Sequence, residues 1–364
     1  MTYNIYYYYK KLIINMYKLI EDYENINKKE INNIDIKEQY DKLLGMFIGG
    51  FLGDALGAPF KIQKTKRSLL NYTGLLQYEV IVPTGRKINT IYPAGSFTDN
   101  SLMTYYLMNS IIETGTYSRD NVLINYFEFA NNTDMIDINT KNLFKIKTIK
   151  TYENRFNKIS PSNQSNGSLM RASPLSIFSN CLFWIDDAML SNINSNNMIC
   201  SIIYISSLRN AINGKSKEYI LENAEKLAKH FNNKYNDANA ILLAIIQAKS
   251  GIRRNVNEKN NNIKTLNPKK TERGWVIHSL YTALWSLLHF NDYKTGIDQV
   301  ILLGGDTDTN AKISGDLLGA FYGYTHIYNN KINNNNLKIL YNANNEFLCD
   351  IGSRVSILNN IYYF

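Results

Sequence analysis

The residues with the most chemical potential in this chain are Gly304-Gly305-Asp306-Thr307-Asp308-Thr309. Two carboxylates, each followed by a hydroxyl, stand directly after the apolar run Val300 to Leu303 and before a helix-like pattern with small residues at Ala311, Gly315, Gly319 and Gly323. Hard oxygen donors at this density suit a divalent cation such as Mg²⁺ or Mn²⁺ and repel an anion. One helix cap needs one such side chain, so capping alone leaves the others without a task. A sparser cluster, Thr98-Asp99-Asn100-Ser101, opens a second helical pattern about two hundred residues upstream. By itself it reads as an ordinary N-cap. If the two segments meet, Asp99, Asp306 and Asp308 converge, and only cations make that arrangement tolerable. Two adjacent ions sharing carboxylates would then position water or substrate hydroxyls.

A third segment, Ser165-Asn166-Gly167-Ser168-Leu169-Met170-Arg171, is a small polar loop leading into a helix. Such a loop can present backbone N–H groups to phosphate, or serve only as a cap. Asp54 reads as a buried, paired carboxylate buttressing the site, with a cap or salt-bridge role as the plain alternative.

These residues need elements to hold them. From Leu43 to Leu56 the apolar positions Leu43, Leu44, Phe47, Ile48, Phe51 and Leu52 recur at helical spacing. Gly45, Gly49, Gly53 and Gly57 fall every four residues on another face. Glycine costs about 1 kcal/mol against alanine inside a helix. Four on one stripe therefore predict a close backbone approach to a neighbour, and the glycine-bearing helix after Asp308 is the natural partner. Helical patterns also run over about 101–112, 198–212, 217–232, 236–249 and 275–290, with a further short helix around Pro174. Turn signals lie at Thr84-Gly85 and Pro93-Ala94-Gly95, and polar loops at 162–167 and 255–270. Strand signals are few and short. The pattern predicts an all-α domain over 39–364, preceded by a low-complexity N-terminal extension over 1–38 that is first Tyr-rich and then rich in Asn and Lys.

Composition excludes several classes. Three cysteines (Cys181, Cys200, Cys349) are too few and too irregular for a disulfide framework and read as reduced, buried thiols. Four histidines (His230, His278, His289, His326) without a shared ligand spacing argue against a zinc hydrolase. No run reaches the ~18–20 uninterrupted apolar residues of a membrane span. No secretion signal is evident, so a cytoplasmic or nuclear location is expected. The formal net charge is +9. The lysines are dispersed among asparagines, with no basic block and no aromatic RNA-binding signature, so no specific nucleic-acid partner is expected, although an anionic substrate is favoured.

Four motifs, Gly53-Asp54-Ala55-Leu56-Gly57, Pro93-Ala94-Gly95-Ser96-Phe97-Thr98-Asp99, Asn166-Gly167-Ser168-Leu169-Met170-Arg171 and Gly304-Gly305-Asp306-Thr307-Asp308-Thr309, occur in an order and spacing that resembles the ADP-ribosylglycohydrolase family. The resemblance covers roughly residues 40–325. It implies a compact orthogonal multi-helix fold with a binuclear Mg²⁺ or Mn²⁺ centre in a cleft. It makes Thr98, Asp99 and Asn100 one half of the metal shell and Asp306, Asp308 and Thr309 the other, with Asp308 able to bridge. Asp99 and Asp308 would be catalytic. The loop Ser165, Asn166, Gly167 and Ser168 would meet the diphosphate. The implied activity is hydrolysis of the glycosidic bond between ADP-ribose and a modified protein side chain or related conjugate, through an oxocarbenium-like state. A monomer is expected.

Three departures stand out. Asn100 replaces the family's usual aspartate and brings no charge. Lys61 stands where many members carry a glutamate near the scissile bond; it cannot serve as a carboxylate base but could pair with phosphate. Arg209-Asn210 stands in place of a mid-chain Thr-His pair. The competing reading is therefore an ADP-ribose-binding protein with weak or no catalysis.

Overall fold

The computed structural model describes residues 34–61, 71–83, 89–234, 239–251 and 274–362, with Glu21 and Tyr23. The first long helix, α1 (Ile36–Gly57), is capped by Asp35, whose carboxylate accepts from Lys37 N at 3.1 Å. A short 3₁₀ turn (Ala58–Phe60) follows. Next comes a two-stranded antiparallel hairpin of β1 (Val80–Pro83) and β2 (Asn89–Tyr92), in register Val80↔Tyr92 to Pro83↔Asn89. The rest is helical: α2 (Asp99–Thr114), α3 (Arg119–Asn132), α4 (Ile138–Phe144), α5 (Ile149–Phe156), α6 (Cys181–Met189), α7 (Ser195–Ile212), α8 (Lys217–Lys234), α9 (Asn239–Lys249), α10 (Val276–His289), α11 (Tyr293–Leu302), α12 (Thr307–Tyr322), α13 (Tyr324–Asn329), α14 (Lys331–Ala343), α15 (Asn345–Leu348) and α16 (Ile351–Tyr362). Two 3₁₀ turns, Asn166–Ser168 and Ser173–Ile177, join α5 to α6. The all-α expectation holds.

The predicted glycine seam is present, and α1 and α12 lie antiparallel along it. A Cβ added at Gly45 would stand 2.5 Å from Gly319 O, one at Gly49 2.6 Å from Gly315 O, and one at Gly57 2.7 Å from the Asp308 backbone. No side chain larger than hydrogen fits these crossings. Close packing along the whole seam offsets the helix-propensity cost of the glycines. Beside it, Lys312 and Asp316 form a fully buried ion pair within α12, at 2.6 Å, against the Phe51 ring. The main apolar core of the described residues runs from Tyr23 to Tyr362.

The helices predicted after Ser101 and across 198–290 occur with boundaries moved by a few residues. Helices α3 to α6, α11 and α13 to α16 were not anticipated; in α3, α4 and α14 frequent asparagines interrupt the apolar periodicity. Cys349 is exposed, which corrects the expectation of three buried thiols; Cys181 and Cys200 are buried. Of the N-terminal extension, Tyr23 is buried with its ring edge on Trp184 at 5.0 Å. The turn at Thr84-Gly85 and the loop 255–270 lie outside the described residues. Among the described residues one helical stretch, Ile36–Phe60, is long and apolar enough to cross a membrane, but 89% of its apolar window is buried inside the fold.

Candidate active site

Asp54, on the last turns of α1, is fully buried and accepts five hydrogen bonds. They come from Thr98 N (3.1 Å), Thr98 Oγ1 (2.7 Å), Asn100 Nδ2 (3.1 Å), Ser101 N (3.2 Å) and Ser101 Oγ (2.5 Å). One carboxylate thus locks the start of α2 onto α1. Thr98 also caps α2, accepting from Asn100 N at 3.3 Å. The plain reading of that cluster, a helix cap, is therefore correct for Thr98. It does not account for Asp99, whose Oδ2 accepts from Asp137 N at 2.7 Å while its side chain lines a cleft.

At α12 capping explains less. Gly304 and Gly305 adopt φ +77° and +82°, a conformation that side chains resist, and so turn the chain sharply into the helix. Asp306 is the N-cap residue, yet its carboxylate caps nothing. It accepts instead from Asn166 Nδ2 at 2.9 Å, and Lys61 Nζ lies 3.5 Å away. Asp308 is fully buried. Its Oδ2 accepts from Lys61 Nζ at 2.8 Å, and its Oδ1 accepts no hydrogen bond. Thr309 Oγ1 donates to Asn100 Oδ1 at 3.2 Å, which joins the starts of α2 and α12 directly.

The 165–168 loop is braced from behind. Arg171, 1% exposed, donates to Asp187 Oδ2 (2.9 Å), Asp187 O (2.7 Å) and Gly167 O (2.7 Å), and lies over the Tyr126 ring. Asn197 Nδ2 donates to Ser165 O and to Ser168 Oγ, both at 2.8 Å, and Asn192 Nδ2 to Ser165 Oγ at 3.0 Å. Val276 N donates to Gln164 O at 2.9 Å.

The cleft has a volume of about 660 Å³, within the usual range for small-molecule sites. It gathers Lys61, Asp99, Asn100, Ser165, Asn166, Gly167, Asp306 and Thr309. Thr98, Ser168 and Asp308 do not line its wall. Thr98 and Asp308 lie beneath the floor, and Ser168 is turned onto Asn197. Lys61 was expected to meet phosphate; its ammonium meets Asp308 and Asp306 instead. Arg209 and Asn210 sit on α7 away from the cleft, where Arg209 donates to Ser176 O at 2.7 Å. Sequence reasoning missed Asp137, Arg155 and Lys158 in the cleft wall and the asparagines at 192 and 197 behind the loop. The asparagines gave no signal, because Asn is abundant throughout the chain.

Burial pushes Asp99 up to about 6, with Lys61 and the Asp137 N–H opposing. Burial likewise lifts Asp308, to about 8; Lys61 opposes and Asp306 adds to the rise. For Asp306 burial acts upward too, but Lys61 and the Asn166 amide outweigh it and hold the carboxyl below its usual value. Burial works against the Lys61 ammonium, yet Asp308, Asp306 and Asp99 hold its pKa well above the ordinary value.

The donor set meets part of what a divalent ion requires. A buried carboxylate oxygen that accepts no hydrogen bond, Asp308 Oδ1, is the kind of atom a cation would satisfy, and Asp99, Asp306 and Thr309 add oxygens from the same cleft. Among the described residues no three His, Cys, Asp or Glu side chains are gathered into a ready-made metal cage. The residues fit a cation, but they do not form a closed site.

Comparisons with known proteins point to one family. The ADP-ribosylglycohydrolase family model matches residues 35–335. The chain is 28% identical over 295 residues to a protein of Acanthamoeba polyphaga mimivirus named as a candidate ADP-ribosyl glycohydrolase, covering 76% of this chain and 85% of that one. It is 22% identical over 304 residues to the ADP-ribosylarginine hydrolase Tri1 of Pseudomonas putida (strain GB-1), covering 79% and 72%. A solved structure described as an ADP-ribosylglycohydrolase-related protein complex shares the fold, with a TM-score of 0.65 at 19% identity over 90% of this chain and 99% of that one.

Proposed function

The chain belongs to the ADP-ribosylglycohydrolase family, and from that premise we propose that it is a metal-dependent hydrolase releasing ADP-ribose from modified protein side chains or related conjugates. The observation that supports this most is the meeting, in one cleft, of Asp99, Asp306 and Thr309 with the Ser165–Gly167 loop. The residues that would hold the cation and those that would hold the diphosphate thus face a common space.

Asp99, Asp306, Asp308 and Thr309 would hold Mg²⁺ or Mn²⁺, which when bound orients the ribose hydroxyls and makes a nearby water more acidic. Asp99 lines the same cleft as Asp306 and Thr309, so its carboxylate would help orient the attacking water beside the cation. Asn166 ties the loop to Asp306, so a diphosphate seated on the loop is held in fixed relation to the carboxylates. Arg155 and Lys158 add positive charge to the wall, in keeping with an anionic substrate.

The test is ADP-ribose release from a mixed panel of arginine- and serine-ADP-ribosylated proteins, with Mg²⁺ and with chelator. Metal-dependent release is the expected result and names the linkage. A second reading, an ADP-ribose-binding protein without turnover, draws on the ion pair of Lys61 with Asp308. ADP-ribose binding with no release from any substrate would establish it.

A further inference from the structure

We propose that Lys61 is a tethered cation standing in for one of the two divalent ions, so that this chain binds a single ion per site. The inference rests on the metal-dependent reading above and concerns how many ions that site takes. Three observations carry it. The Lys61 ammonium contacts both α12 carboxylates, Asp308 Oδ2 at 2.8 Å and Asp306 Oδ1 at 3.5 Å. A carboxylate that bridges two metal ions offers one oxygen to each. Here one oxygen of Asp308 is engaged by the ammonium, and only Oδ1 is left for an ion. Asn100, the second departure from the family, supplies no charge. Its Nδ2 donates to Asp54 and its Oδ1 accepts from Thr309, so both ends of the amide are engaged.

The charge balance points the same way. Asp99, Asp306, Asp308 and the buried Asp54 behind them bring four carboxyl groups together, and Lys61 supplies a fixed positive charge among them. That fixed positive charge sits between the two α12 carboxylates and does part of the neutralising that a second divalent ion would otherwise do. Buried charge is tolerated only when it is balanced. An aspartate at 100 together with a carboxylate at 61 would reverse this balance and call for the second ion.

The test counts Mn²⁺ on the full chain at neutral pH by equilibrium dialysis with elemental analysis, and reads the bound ion by electron paramagnetic resonance. The unaltered protein is expected to hold one magnetically isolated ion per chain. The double variant Lys61→Glu/Asn100→Asp is expected to hold two, with a spin-coupled signal. Lys61→Gln, which keeps the bulk and removes the charge, is expected to show a larger Mn²⁺-induced rise in melting temperature than the unaltered chain. That comparison keeps the test decisive if the double variant does not fold. Two ions of similar affinity on the unaltered chain would overturn the proposal and leave the metal-dependent reading standing. So would an unchanged Mn²⁺ response in Lys61→Gln. No ion on the unaltered chain or on Lys61→Gln would overturn both together.

Discussion

Asp54 shows how one residue can organise a site that it does not enter. Its five hydrogen bonds fix the start of α2, and Asn100 Nδ2 is one of the donors. An aspartate at 100 would set a second carboxylate 3.1 Å from Asp54 in place of that donor. Asn100→Asp is therefore expected to lose about 1–3 kcal/mol of stability in chelator, the usual cost of a lost buried hydrogen bond, and to recover part of it when Mg²⁺ is added. Chemical denaturation with and without the ion reads this. Asn166→Ala removes the amide that holds Asp306 Oδ2, and about a 10–100-fold loss in metal affinity or activity is expected, as for other groups that orient ligands. The sequence made the carboxylates legible, because Asp306-Thr307-Asp308-Thr309 exceeds what a helix cap needs. It did not show that Lys61 turns to those carboxylates. A lysine at that position carries the same letter whether its flexible stem reaches a phosphate or an aspartate.

At the scale of elements, the pairing of α1 with α12 was readable from two glycine stripes, since only a backbone crossing repays glycine in a helix. Gly49→Ala would place a methyl group 2.6 Å from Gly315 O. With backbone on both sides the seam cannot yield, so a loss of about 3 kcal/mol, the upper end of over-packing, is expected in thermal or chemical denaturation. The buried Lys312–Asp316 pair beside that seam gives a pH test. Burial raises Asp316 to about 6, against the pull of Lys312 and the Tyr204 hydroxyl. A carboxyl raised on folding contributes stability that is fully present below its unfolded value of 3.8 and is lost as the pH rises through about 6. Lys312→Met leaves that carboxylate without its partner. A loss of about 3–5 kcal/mol is expected at pH 8, the range for breaking a buried pair. The loss should be smaller at pH 5, where the carboxyl takes up a proton. Equal losses at the two pH values would refute this account. Helices α3 and α14 were hard to read for a composition reason: asparagine occupies exposed and buried faces alike, with Asn125, Asn333 and Asn336 buried, and blurs the apolar stripe.

For the whole molecule, the site is a junction rather than a possession of any one element. The ends of α1, α2 and α12 meet there with the 165–168 loop, and each enters from a different part of the chain. Any ligand that spans the cleft must raise the stability of the whole fold, by about 2.7 kcal/mol at a hundred times its dissociation constant. ADP-ribose is expected to raise the melting temperature accordingly, and more in Mg²⁺ than in chelator. The glycine seam has one more consequence, and it concerns the order in which the molecule opens. A crossing with no side chains between its backbones has nothing to loosen by small steps. Amide protons along α1 and α12 should therefore exchange with solvent last, in one cooperative unit, while those of α4 and α5 on the wall of the cleft exchange early. The floor of the cleft would then keep its shape through partial openings that swing its wall, and a bulky modified protein could gain entry without disturbing the carboxylates beneath.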